Sequence, residues 1–191
     1  VTEGSVAVGG IDVREYDIEA LRDQVAFVLQ KNTLFSGTLR ENMRWGNEDA
    51  TDEQIIRALK QAQAWEFVSK YDDGLDYRVE QGGENFSGGQ KQRLTIARAL
   101  IKSPKIIILD DSTSAVDMTT DAKIQHAFKE ELGHITTIII AQRISSVQHA
   151  DRIIAMNEGE IESIGDHNTL LKLSPIYREI YESQQKGVVG Q

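Results

Sequence analysis

The sequence predicts an α/β protein whose sheet core is interrupted by an all-helical insert running from about residue 31 to residue 102. Three observations carry that expectation. Residues 25–29 read as a buried strand, and the continuous apolar run 106–109 suits a parallel strand covered on both faces. Between them the texture is helical, with Ile55, Ile56, Leu59 and Ala62 marking one helix face. Beyond them, a helix around residues 120–132 and a strand at 136–141 complete another β-α-β unit.

Taken in order, Val6 and Val8 alternate with small residues, Gly10 turns the chain, and Ile11 and Val13 return it as an edge hairpin. Asp17 is placed to cap a short helix before the first core strand, which ends at Gln30. Thr38 with Glu41, and Thr51 with Gln54, have capping-box spacing, in which two side chains satisfy orphan backbone donors reciprocally. A loop over residues 71–85 leads into Phe86-Ser87-Gly88-Gly89-Gln90. The helix after it carries Leu94, Ala97, Leu100 and Ile101 on its apolar stripe, and Pro104 closes it. After the 136–141 strand the pattern is a hairpin, residues 153–156 and then Ile161 and Ile164, with a turn at Asn157-Glu158-Gly159. A short helical tail from about Asn168 to Gln184 ends the pattern.

Composition narrows the function. The chain has 191 residues, enough for one substantial core, with 40% hydrophobic and 27% charged residues. Its net charge of −9 argues against a nucleic-acid binder, which needs a basic footprint. There is no cysteine, so disulfides and thiolate metal sites are excluded. The longest apolar runs are far too short to cross a bilayer, and no signal peptide opens the sequence, so membrane association must come through another segment or chain.

The chemistry concentrates where the 71–85 loop becomes a helix. Ser87 can cap that helix, and Gly88 and Gly89 leave backbone N–H groups bare at the positive end of its dipole, a ready site for a phosphate. The longer string Asn85-Phe86-Ser87-Gly88-Gly89-Gln90-Lys91-Gln92-Arg93-Leu94 resembles the signature motif of the ABC ATPases. Four further elements stand in that family's order. Gln30 resembles the Q-loop glutamine that reaches magnesium and the attacking water. Residues 106–110 resemble the Walker B strand, whose final aspartate, Asp110, holds magnesium. Ser114-Ala115-Val116-Asp117 resembles the D-loop, and Ala141-Gln142-Arg143 stands at the switch position. Residues 30–42 and Glu80-Gln81-Gly82-Gly83 are similar to the segments with which the exporter branch receives the coupling helices of its membrane domain.

The departures from the family are as informative. No G-x-x-x-x-G-K-[ST] phosphate loop is present; Val1-Thr2-Glu3-Gly4 resembles the segment just after the Walker A helix, so the phosphate loop, its strand and the adenine-stacking aromatic are expected before Val1. Asp111 stands where active members carry the glutamate that positions water; one methylene fewer retracts the carboxylate by roughly 1.5 Å. Phosphoryl transfer is mostly positioning, and a displacement of about 1 Å can cost on the order of a hundredfold. Gln142 replaces the switch histidine; its amide can hydrogen-bond a γ-phosphate but carries no charge and shuttles no proton. Together these changes resemble the degenerate half of heterodimeric bacterial exporters.

The resemblance therefore implies an ABC-type P-loop NTPase core, partial and lacking its phosphate-loop strand, in three parts. These are the core to residue 30, a helical subdomain over residues 31–102 carrying the signature, and the remaining core over residues 103–191. It implies ATP and magnesium as ligands, with Asp110 and Gln30 at the metal and Asp111 and Gln142 as weakened catalytic groups. Gln30, Ser87, Gly88, Gly89, Gln90 and Asp117 would contact nucleotide, the signature residues doing so in a partner's site. The partners implied are a second, non-identical nucleotide-binding domain and the coupling helices of a membrane domain, at the cytoplasmic face of the cell membrane. The isolated chain is expected to be inactive. Two alternatives stay open: a non-catalytic nucleotide-binding or dimerisation module, and a soluble ABC ATPase.

Overall fold

The computed structural model describes residues 2–111, 116–130 and 132–189. The chain forms two compact units, Val1–Ile140 and Ala141–Gln191.

In the first unit, β1 (Ala7–Val8) and β2 (Ile11–Asp12) form the expected antiparallel hairpin, but a short one. Val13 adds one further rung, its N–H donating to the Val6 carbonyl at 2.9 Å. The Asp12 carboxylate accepts the Arg14 N–H at 2.9 Å and also bonds the Arg14 guanidinium, winding Val13–Glu15 into a single 3-10 turn. Helix α1 (Ile18–Gln24) is capped by Asp17, whose side chain accepts the Ala20 N–H, and it delivers the chain into β3 (Val25–Val28).

The insert that follows is mostly helical, as its periodicity implies, but not wholly so. Strand β4 (Gly37–Thr38) pairs antiparallel with β5 (Arg78–Val79) and ties the start of the insert to the loop before the signature. Between them lie α2 (Leu39–Arg44), α3 (Asp52–Gln61) and α4 (Trp65–Val68). Both predicted capping boxes are formed, Thr38 with Glu41 and Thr51 with Gln54. Arg40 on α2 bonds Asp52 at the start of α3 and Asp76 beyond α4, the latter at 3.0 Å, so one guanidinium fixes three segments. Helix α5 (Gly88–Ile101) closes the insert. Its buried residues Leu94, Ile96, Ala97 and Leu100 join Leu34, Leu39, Met43, Ile55 and Leu59 in a core that runs on into the sheet.

The sheet is parallel, in the order β3-β6-β7, with β6 (Ile106–Asp110) central and β7 (Thr136–Ile140) outside it; α6 (Met118–Glu130) connects the two. Among the described residues the expected cover is found on one face only. Ala26, Val28, Ile107 and Leu109 are buried, whereas Phe27, Ile138 and Ile140 are 51%, 47% and 52% exposed. Successive strand residues point to opposite faces. The register Phe27↔Ile108↔Ile138 therefore gathers one alternate set on an open face, while the helices cover the other.

In the second unit, β8 (Ile153–Asn157) and β9 (Glu160–Gly165) form the predicted hairpin. Its turn puts Glu158 and Gly159 at φ of 50° and 82°, the two positive values that a tight hairpin turn requires. The helical tail is two helices, α7 (His167–Leu173) and α8 (Pro175–Val189). The break follows from Ser174-Pro175: the serine hydroxyl accepts the Tyr177 N–H at 3.1 Å, and proline suits a first helical position because its missing N–H would be unpaired there. Ile144, Ile153, Leu170 and Tyr177 form this unit's core.

The two sheet faces should respond differently to truncation. Ile107→Ala, on the covered face, should lower the unfolding free energy by about 2–5 kcal/mol. Ile138→Thr, on the open face, should cost less than about 1 kcal/mol. Urea denaturation followed by circular dichroism reads both.

Candidate functional site

The candidate site is built on strand ends. β3 and β6 run parallel, so their C-terminal ends lie side by side, and the first residues past them are brought together. The Gln30 side-chain amide donates to Asp111 Oδ2 at 3.2 Å across 81 positions of sequence. Asp110 ends β6, paired in register with Ile140 of β7. Its alternation with buried Leu109 sets it on the open face.

Asp111 adopts φ of 44°, the left-handed region that aspartate tolerates better than most residues. Its N–H donates to the Ile140 carbonyl at 2.7 Å, holding the turned residue against the end of β7. Non-glycine residues in such conformations cost of order 1–3 kcal/mol and concentrate at functional sites. Nothing in the sequence announces this. Gln30 and Asp110 offer an amide oxygen and a carboxylate, hard oxygen donors of the kind magnesium uses alongside water and substrate phosphate. Among the described residues no three His, Cys, Asp or Glu side chains form a metal site by themselves. The donors present thus fit an ion that brings phosphate oxygens with it.

The second half of the site is the start of α5. Ser87 caps the helix as expected, accepting the Gln90 N–H at 3.3 Å, and the Gln90 side chain reaches back to the Ser87 N–H at 2.9 Å. This capping box commits both polar side chains to the helix start. The Gly88 and Gly89 N–H groups have no acceptor within the helix, and Ser87 and Gly88 are exposed. Directly behind, Phe86 is buried in an aromatic cluster, 5.9 Å from the Tyr77 ring and 6.4 Å from Phe67, which anchors the turn.

A hydrogen-bond chain joins the two halves. The Asn32 amide donates to the Gln30 carbonyl at 3.4 Å, and Asn32 Oδ1 accepts the Thr95 hydroxyl of α5 at 2.6 Å. One turn on, Arg98 donates to the Thr33 carbonyl at 3.0 Å. Sequence reading missed Asn32, Thr95 and Arg98, since a polar residue within a helical stripe gives no hint of a partner 63 or 65 positions away.

The remaining candidates are placed separately. Asp117 is exposed, and its carboxylate bonds the Thr120 N–H at 2.9 Å and hydroxyl at 2.7 Å at the start of α6; these bonds hold its pKa below the usual aspartate value. Ser114 and Ala115 lie outside the described residues. Gln142 is exposed in the second unit, two positions past β7, where the Gln184 side chain donates to its carbonyl at 2.8 Å.

The two segments similar to exporter coupling regions converge. Gly83 sits so close to Leu34 that a β-carbon would lie 3.0 Å from its Cδ1. Beside them a cavity of about 380 Å³ is lined by Phe35, Trp45, Lys31, Arg98 and Lys102 together with residues of β3. Trp45 is 68% exposed and stacks on Phe35, with centroids 4.5 Å apart. Arg98 lies over the same ring at 5.6 Å; burial pushes its pKa down, and its second terminal nitrogen is buried without a hydrogen-bond partner.

A parallel sheet with carboxylates at its strand ends, tied to a glycine-rich helix start whose bare N–H groups suit an anion, is the layout of an α/β phosphate-binding domain. A family model described as ABC transporter matches residues 1–114, and the chain belongs to that family. It is 42% identical over 184 residues to the putative multidrug export ATP-binding/permease protein YgaD of Bacillus subtilis (strain 168), covering 96% of this chain and 32% of that protein. It is 41% identical over 191 residues to the ATP-dependent lipid A-core flippase of Legionella pneumophila (strain Lens), covering 100% of this chain and 32% of that one. The solved structure of a bacterial Atm1-family ABC exporter with ATP bound superimposes with a TM-score of 0.91 at 32% identity, covering 95% of this chain and 32% of that chain. The chain thus spans 32% of the length of each of these two relatives. The fold and family inferred from the motifs are both borne out.

The single Thr95 O–H faces both Asn32 Oδ1 at 2.6 Å and the Gln92 carbonyl at 2.8 Å, so its removal tests the link between the halves together with that local bond. Thr95→Val keeps the volume but removes the hydroxyl, and should lower the unfolding free energy by about 1–3 kcal/mol. Thr95→Ser should retain most of it, as read by thermal or urea unfolding.

Proposed function

We propose that this domain binds ATP against a second, non-identical nucleotide-binding domain and powers export across a membrane, working at the cytoplasmic face. In this reading its own ATP site is impaired, and its signature helix completes the partner's site. The observation that carries the reading is the asymmetry of preservation. The start of α5 is fully formed, with a closed capping box and bare Gly88 and Gly89 N–H groups aimed outward at the positive end of the helix dipole. The positions that would act at its own site instead hold the short Asp111 and the uncharged Gln142.

Each residue then has a defined task. Gln30 and Asp110 supply oxygen ligands for magnesium, which when bound neutralises charge on the phosphates. Asp111 orients water from a retracted position, which slows attack on this side. Gln142 donates one hydrogen bond to a γ-phosphate where a histidine could add charge. Gly88 and Gly89 donate to the γ-phosphate held by the partner, with Asp117 near the contact between the two domains. The chain Gln30–Asn32–Thr95 lets a movement at the γ-phosphate reach α5 and the groove beside it.

That groove suits a membrane domain's coupling helix. Trp45 and Phe35 offer an exposed apolar platform, and Lys31, Arg98 and Lys102 give it positive charge within a chain of net charge −9. A non-catalytic dimerisation module is the second reading, favoured at this domain's own site by Asp111 and Gln142 together.

ATPase measurements on the reconstituted transporter separate the readings. Gly89→Asp puts a negative group where the phosphate docks and should reduce turnover on the order of a hundredfold or more. Asp111→Asn should reduce it less than about tenfold, because that site contributes little to turnover. If Asp111→Asn is the more damaging change, the proposed asymmetry is wrong.

A further inference from the structure

Two hydrogen bonds in the second unit meet on one side chain. The Gln184 amide of α8 donates through Nε2 to the Gln142 carbonyl at 2.8 Å, and its Oε1 accepts the Ile144 N–H at 3.0 Å. Those backbone groups belong to residues two apart, with Arg143 between them at φ −89° and ψ 123°. In extended backbone the C=O of one residue and the N–H of the next but one point the same way. A planar primary amide therefore meets them as a neighbouring strand would.

The clamp is itself anchored. Tyr177, Tyr181 and Gln184 recur at four- and three-residue spacing, so they share one face of α8. Tyr177 is buried and its hydroxyl lies 2.8 Å from His167 Nδ1, while Tyr181 meets the same imidazole edge-on at 5.3 Å. On the clamped side, Ile144 is buried in the unit's core with Leu170 and Tyr177. Gln142, at the other end of the clamped segment, is exposed.

We propose that Gln184 is a positioning residue that holds the backbone of Gln142 so that its side chain can meet a γ-phosphate. The inference rests on the reading of Gln142 given above. Gln184 touches no substrate. It acts by removing the conformational freedom that an exposed segment would otherwise lose at each binding event. An amide suits the task because it presents a donor and an acceptor at once and does not titrate. Glutamate has the same shape, but when ionised it has only acceptors and would face the Gln142 carbonyl with like polarity.

The test uses the whole transporter and compares ATP with ADP binding at this domain's own site. Gln142→Ala should weaken ATP about tenfold, the loss of one hydrogen bond to a charged group, and leave ADP unchanged. Gln184→Glu should reproduce most of that ATP-only loss, and should add less than about twofold in the Gln142→Ala background. Equal weakening of ATP and ADP, or a full effect of Gln184→Glu in the double variant, would show a merely structural residue and overturn the proposal. Unchanged ATP affinity in Gln142→Ala would overturn the reading of the site, and the inference with it. Amide exchange at Ile144 distinguishes the two failures: it should be slow in the parent and at least about tenfold faster in Gln184→Leu if the clamp exists.

Discussion

The arrangement of the site depends on one constraint: helix α5 must satisfy three different neighbours along its length. Its first turn is exposed and capped, its middle is buried, and its last turn runs into the edge of the sheet. Lys102, just past it, donates to the Arg22 carbonyl at 2.6 Å, and three residues further the Lys105 N–H donates to the Gln24 carbonyl. The C-terminal end of α5 is thereby fixed against the entry to β3. Thr95 and Arg98 fix its middle against the residues that leave β3. A helix held at both places sets where Ser87 stands relative to Gln30.

The helix is stiff for reasons of packing as well as bonding. Leu94, Ile96 and Ala97 have no exposed surface, and Arg93 covers the Phe67 ring at 4.9 Å while donating to the Gln63 carbonyl at 2.9 Å. Interiors packed at crystal-like density do not absorb displacements gradually. A shift at either end is passed along or resisted as a whole. The signature and the strand ends are thereby linked through the Asn32–Thr95 bond without touching.

The open sheet face is the complementary feature. Its apolar residues, Phe27, Ile138 and Ile140, share a face with Asp110, which stands at the polar end of an otherwise apolar surface. Asp111 turns away in a left-handed conformation and meets Gln30 instead. Two adjacent carboxylates thus have different environments, and the difference comes from strand alternation and one unusual φ value.

Much of this was legible in the residues. Capping at Asp17, Thr38, Thr51 and Ser87 follows from local spacing, because a cap involves groups three residues apart, and all four caps are formed. The motif order from Gln30 to Gln142 sufficed to name the family, since each motif is a short local string. The same reading erred where the answer depended on distant chain: among the described residues the sheet is covered on one face only, and the insert contains a small ladder joining Gly37 to Val79. It also overlooked the break at Ser174-Pro175, a local signal that a continuous helical pattern hid. What only the tertiary structure decided are the long-range contacts, Gln30 with Asp111, Asn32 with Thr95 and Gln184 with Gln142, separated by 81, 63 and 42 positions. Sequence by itself determines which groups can donate, accept, cap or carry charge, because that chemistry is local. Which of them meet is decided by how strands and helices stack, a property of the whole folded chain.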